Sequence, residues 1–185
     1  MAEVKHLPIE TLTTGLDDIR QSPKATGVLE LIVRRPQTEA REVLDVGELD
    51  LVEGLVGDNW QQRGSSQTAD GSAHPDMQLT LTNARLMALV AQDKRHWPLA
   101  GDQLYVDFDL SVDNIPPGTR LSLGAAVIQI TEPPHTGCKK YAARFGLDAL
   151  KFISSPEGRQ LQLRGVNAKV IRPGAIRVGD VVKKL

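Results

Sequence analysis

Apolar residues recur along this chain at two spacings, and the shorter one dominates. Residues 26–35 read Thr-Gly-Val-Leu-Glu-Leu-Ile-Val-Arg-Arg, a strand stopped by Pro36, which has no N–H to give to a ladder. Residues 41–46 and 48–52 alternate polar and apolar on either side of Gly47, the pattern of a strand with a bulge or turn. Met77, Leu79 and Leu81 alternate with polar neighbours over 76–82, as do Leu104, Val106, Phe108 and Leu110 over 103–110. Both stretches predict half-buried strands. Residues 121–123 and 125–131 add two more, the second almost wholly apolar and so central in its sheet. Residues 166–171 and 175–183 flank Arg172-Pro173-Gly174 and read as a closing hairpin.

Helical spacing is confined to short stretches. Thr82 or Asn83 can cap a helix over 84–92, with Leu86, Leu89 and Val90 buried and Arg85, Gln92 and Lys94 wetter. Trp97-Pro98 closes it, with Trp97 as core packing. Residues 139–145 and 147–153 are helical in pattern, and Ser155-Pro156-Glu157 starts another turn with serine at the cap and proline in first position. Residues 9–20 form a short helix before Ser22-Pro23, so 1–25 is an N-terminal arm or embellishment and 26–185 a single domain. Strands that keep returning, with helices only as plugs, predict a mainly β, α+β fold: a closed or partly open barrel of short strands.

Composition narrows the setting. At 185 residues and 41% apolar content the chain fills one core, and its single cysteine excludes an internal disulfide, which points to a reducing cytoplasm. No stretch resembles a secretory signal or a membrane span, and no membrane partner is expected. The net charge of −1 conceals a segregation: residues 133–185 hold eleven Lys and Arg against Asp148, Glu157 and Asp180. That asymmetry suits an anionic cofactor or small-molecule ligand. Overall acidity, few aromatics and the lack of a recognition motif argue against nucleic acid.

Candidate chemistry concentrates in two places. Residues 54–71 form a polar, glycine-punctuated loop in which Asp58 positions a ligand or caps a turn, Arg63 offers a cation, and His74 lies just beyond. Residues 131–146 place Cys138 beside Lys139, Lys140 and Arg144, where a loop hands over to a helix. Cations and a helix start favour thiolate, the form that attacks electrophiles and binds metals, and they also favour bound anions. The competing reading sets Cys138, Tyr141, Ala142 and Phe145 on one apolar stripe, with the thiol packed in a core. His135 invites a Cys–His pair, but no second cysteine or histidine stands at zinc spacing. Asp107 and Asp109 share the wet face of a strand, which explains them without a metal.

The run Pro133-Pro134-His135-Thr136-Gly137-Cys138-Lys139-Lys140, followed by Ala143-Arg144-Phe145-Gly146, resembles the cysteine signature of MOSC domains, the family named after the C-terminal domain of molybdenum cofactor sulfurase. The segments 52–60 and 165–180 are similar to the family's glycine-aspartate segment and closing strands. Trp60 or a polar residue stands where a histidine often follows the glycine-aspartate pair, and Gly101-Asp102-Gln103 replaces a Gly-Glu-Asn run. The resemblance implies a barrel of the MOSC, pyruvate-kinase-barrel-like type, and molybdenum-cofactor chemistry. By the matching motif Cys138 holds sulfur as a persulfide or ligates molybdenum. Lys139, Lys140, Arg144 and His135, with Asp58 and Arg63 from the long loop, then surround the anionic cofactor. Some relatives reduce N-hydroxylated compounds, which requires a redox or sulfur-donor protein partner. Pyridoxal phosphate is associated with the family, but its lysine belongs to a separate domain, so this domain alone is not expected to bind it. The non-enzymatic alternative is a module that takes a phosphorylated small molecule into a basic pocket, with Cys138 merely structural.

Overall fold

The computed structural model describes residues 4–185. Its helices are α1 (Ile9–Thr14), α2 (Leu16–Arg20), α3 (Trp60–Arg63), α4 (Ala84–Val90), α5 (Lys139–Phe145), α6 (Leu147–Ser154) and α7 (Pro156–Gln160). Its strands are β1 (Thr26–Arg34), β2 (Glu42–Leu44), β3 (Val46–Asp50), β4 (Gly54–Leu55), β5 (Leu79–Asn83), β6 (Leu104–Asp107), β7 (Arg120–Leu123), β8 (Ala126–Pro134), β9 (Val166–Arg172), β10 (Gly174–Arg177) and β11 (Val181–Lys184). Seven of them close a barrel in the order β1, β6, β5, β9, β8, β7, β11 and back to β1. All neighbours run antiparallel except β5 and β6, which are parallel, so the barrel is mixed. Closure leaves no open edge in the seven-strand ring, while β2 pairs with the end of β1 as an outlying eighth strand.

Two apolar clusters sit on either side of the barrel wall. Inside, residues such as Leu29, Ile32, Leu81, Phe108 and Ile128 are fully buried. Outside, Leu12, Met87, Trp97, Tyr105, Tyr141 and Phe152 pack between the wall and the helices. The second cluster corrects the expectation of half-buried strands: β5 is buried at every position, and in β6 Tyr105 is as buried as Leu104 and Val106. Helix α4 and the 3-10 segment Lys94–Ala100 cover the face that would otherwise be wet, and Tyr105 Oη donates to the Trp97 carbonyl at 2.8 Å. Residues 4–25 join this layer through Val4, Leu12, Leu16 and Ile19, and the Ile9 amide donates to Asp148 of α6.

Local signals set several boundaries. Asn83 caps α4 by accepting from the amides of Arg85 and Leu86, and Ser155 caps α7 by accepting from Gly158. The expected closing hairpin does not form. β9 pairs with β8 and β5, whereas β10 pairs with β3 in a small second sheet and β11 enters the barrel. Only Pro173 separates β9 from β10, so the chain runs on without a turn there, and the tight turn comes later, between β10 and β11, where Gly179 adopts φ +94° and the Arg177 amide donates to Asp180. Gly47 lies inside β3 rather than between strands, and the break falls at Asp45. Strand β8 outruns the expected loop start and ends at Pro134, held to β9 by the Asn167 amide on the Pro133 carbonyl. That extension delivers residues 135–138 to one mouth of the barrel.

Candidate functional site

Two buried ion pairs frame this mouth. Just past β1, Arg35 meets Asp58 through two bonds of 2.8 Å, from Nε and from Nη2, and its Nη1 donates to the Gly101 carbonyl at 2.9 Å. Asp58 also accepts from the amides of Arg35 and Trp60, so its carboxylate, fully shielded from solvent, is consumed by the fold. It ties the 54–63 loop to the end of β1. Opposite, Arg164 Nη1 reaches both oxygens of Asp102 at 2.9 and 2.8 Å, and Nη2 donates to the Ala100 carbonyl. Burial pushes the Arg164 guanidinium down, but Asp102 and then Tyr141 outweigh it and the net shift is upward. Gly165, the next residue, lets the chain pass close against β5. It adopts φ +104°, and a Cβ there would lie 2.1 Å from the Leu81 carbonyl oxygen.

Between the pairs opens a cavity of about 230 Å³. Arg35, Arg41, Arg63, Lys140, Arg144 and Arg164 border it, and no Asp or Glu does among the described residues. Lys140 and Arg144 share Glu39 at the rim, at 2.8 and 2.7 Å, and together they hold its carboxyl below the usual range. Arg41 donates only to the carbonyls of Pro98 and Ala40, and Arg63 makes no side-chain hydrogen bond or ion pair among the described residues. Crowding by protein, then the neighbouring cations, lowers the pKa of both. Arg41 and Arg63 are thus positive charges that no acidic side chain among the described residues pairs with, beside four cations that are paired.

Cys138 borders the same cavity and is exposed. It occupies the N-cap position of α5 with extended backbone, so the buried stripe begins at Tyr141 and continues to Phe145 without it. The packed-cysteine reading is thereby corrected: a cap residue projects from the first turn instead of lying on the helix face. Of the residues expected at the site, Cys138, His135, Lys140, Arg144 and Arg63 converge on the cavity. Lys139 is exposed and does not border it, and Asp58 acts from behind through Arg35. Arg35, Arg41, Asp102 and Asn167 were not among those expectations; the run Arg34-Arg35-Pro36 at a strand end was the available signal for the first.

The cavity wall contains unmet polar capacity. Tyr141 Oη, Arg164 Nε and Asn167 Oδ1 are buried without a hydrogen-bond partner among the described residues. Leaving such a group unpaired costs about 1–3 kcal/mol. No group of three His, Cys, Asp or Glu side chains placed to hold a metal forms among the described residues, so any metal here must bring most of its own ligands.

The family model for the MOSC domain matches residues 75–183. The chain belongs to the MOSC domain family. Arg35, Arg41, Asp58 and Arg63 lie outside the matched segment, so this MOSC protein completes its cationic cavity with its N-terminal part. Among solved structures, the YuaD protein from Bacillus subtilis superposes with a TM-score of 0.64 at 17% identity, covering 86% of this chain and 95% of that one. YiiM from Escherichia coli gives 0.53 at 18% identity over 85% of this chain and 69% of its own. YiiM from Geobacillus stearothermophilus gives 0.53 at 13% identity over 86% and 75%. These likenesses establish the barrel fold. No curated protein matches the chain. MOSC domains as a family are associated with the molybdenum cofactor. No helix among the described residues is long and apolar enough to cross a membrane.

His135 gives this MOSC protein a testable pH dependence. Burial, then the Arg164 charge, lowers its pKa to about 3, against the opposing pull of Asp102. Its Nδ1 lies 3.4 Å from Arg164 Nη1 and 3.5 Å from Asp102 Oδ1. A folded-state pKa below the unfolded value means that stability is full above about pH 6.5 and is lost as pH falls toward 3. His135→Gln is expected to remove about 1 kcal/mol per pH unit from that acid slope, measured by urea unfolding between pH 6.5 and 4.5.

Proposed function

We propose that the cavity binds the phosphorylated pterin of the molybdenum cofactor, with Cys138 as the protein's sulfur ligand or sulfur carrier. The supporting observation is that an exposed thiol shares a cavity with five arginines and a lysine and, among the described residues, no carboxylate. Thiolate is a soft ligand suited to a transition metal, and guanidinium groups bind phosphate oxygens through paired charge-assisted bonds. The donor set fits the group. Arg41 and Arg63 have no acidic partner among the described residues, and an arriving phosphate would take Lys140 and Arg144 from Glu39 without breaking the fold. Tyr141 Oη, Arg164 Nε and Asn167 Oδ1 supply donors and an acceptor for the polar edge of a heterocycle. A volume below the roughly 300 Å³ of ordinary ligand sites seats the group at the mouth, within reach of solvent and of partners. Bound there, the cofactor would supply a metal centre able to exchange two electrons. The chain supplies charge, orientation and the thiolate. Sulfur transfer and reduction of N-hydroxylated compounds are the two uses this arrangement supports, each with a protein partner that delivers sulfur or electrons to the exposed mouth.

The test uses Arg63→Glu, which breaks no hydrogen bond of the described residues. After expression in cells that make the cofactor, pterin released on denaturation is read by fluorescence. The variant is expected to carry at least about tenfold less than wild type, equivalent to about 1.4 kcal/mol of binding. Equal pterin in both proteins, or none in wild type, would overturn the proposal.

A further inference from the structure

Behind the thiol cavity lies a larger one, of about 560 Å³, inside the range of ordinary small-molecule sites. Its walls are the 134–137 segment, Ile153 and Ser154 of α6, and residues 158–165 around α7. His135 and Arg164 border both cavities and form the partition between them. Gly137 lies on one side of that partition and Cys138 on the other.

The lining specifies a ligand class. Pro134, Gly137, Ile153, Gly158 and Gly165 give it a largely carbon surface, with no Asp or Glu among the described residues. Two guanidinium groups border it, and they are unlike. Arg164 is committed to Asp102 and the Ala100 carbonyl, whereas Arg159 is exposed and its side chain has no ion pair or hydrogen bond among the described residues. The one carboxylate near it in sequence, Glu157, pairs with Arg20 instead. Gln162, at the remaining edge, is pinned by its amide on the Leu110 carbonyl. An uncommitted cation over an apolar chamber attracts a molecule with an apolar body and one negative end, and it disfavours cations.

We propose that this second cavity binds a small organic anion, its carboxylate or sulfonate on Arg159 and its apolar body against Ile153 and Pro134. The binding claim is independent of the cofactor. That the bound molecule is the one on which the thiol site acts, across the Gly137–Cys138 bond, rests on the function proposed above.

The probe is 8-anilinonaphthalene-1-sulfonate, an aromatic body with one sulfonate, titrated by fluorescence into the full chain. Saturable binding at one dye per chain is expected. Arg159→Glu, on the surface and free of partners among the described residues, should weaken it at least about tenfold, and Ser154→Trp, which fills the chamber, should abolish it while circular dichroism stays native. Arg63→Glu should leave it unchanged. No saturable binding, or binding that neither Arg159→Glu nor Ser154→Trp alters, overturns the assignment. Equal weakening by Arg63→Glu and Arg159→Glu would place the dye at the thiol cavity and overturn it too. Because pterin content reports on Arg63 and dye binding on Arg159, either site can fail alone.

Discussion

Asp58→Ala is expected to lower the free energy of unfolding by about 3–5 kcal/mol, the cost of stranding one partner of a buried ion pair. The carboxylate satisfies Arg35 Nε, Nη2 and main-chain N–H and the amide of Trp60, and all of these bonds are buried. The loss would show as a lower urea midpoint with an unchanged slope. Removing the charge with Arg35→Met in the same chain should recover part of it, because a buried pair replaced by apolar groups is often near neutral. A loss below about 1 kcal/mol for Asp58→Ala, the range of surface pairs, would mean that the loop is not tied to β1 in this way.

The second large effect lies at Asp102. Asp102→Ala should cost about the same 3–5 kcal/mol, since Arg164 would stay buried with the Ala100 carbonyl, the Tyr141 ring and the His135 imidazole near it but no carboxylate. A further readout separates this pair from a merely structural one. The Asp102 charge raises the His135 pKa against burial and the neighbouring arginines, so its removal should move the imidazole titration, followed by NMR of the ring, still lower. An unchanged or higher titration would contradict the arrangement of the partition.

The sequence made the barrel legible where one face of a strand is wet and where caps are explicit. Asn83 and Ser155 are legible as caps, β1 as a strand-forming run stopped by Pro36, and β8 as an almost wholly apolar run. Alternation failed for β5 and β6 because helices cover their outer faces, a tertiary fact that shows locally only as Tyr105 among the apolar residues of β6. It failed again over 175–183, where Gly179 and Asp180 were read through as strand instead of turn. At the site, the helix start at Cys138 was readable, but the side of the helix taken by the thiol was not, since a cap residue fits either pattern. Arg35, Arg41 and Asp102 are separated from Cys138 by long stretches of chain, and barrel closure alone brings them to one mouth. The excess of cations over 133–185 pointed to an anion site, yet three of the five cavity arginines come from before residue 75.

Molybdenum bound per chain, measured by elemental analysis of wild type and of Cys138→Ser purified in parallel from cells that make the cofactor, tests the proposed role of the thiol most directly. Metal approaching one atom per chain in wild type and falling at least about tenfold in the serine variant is the predicted result. Metal near zero in both proteins, or equal in both, would contradict it.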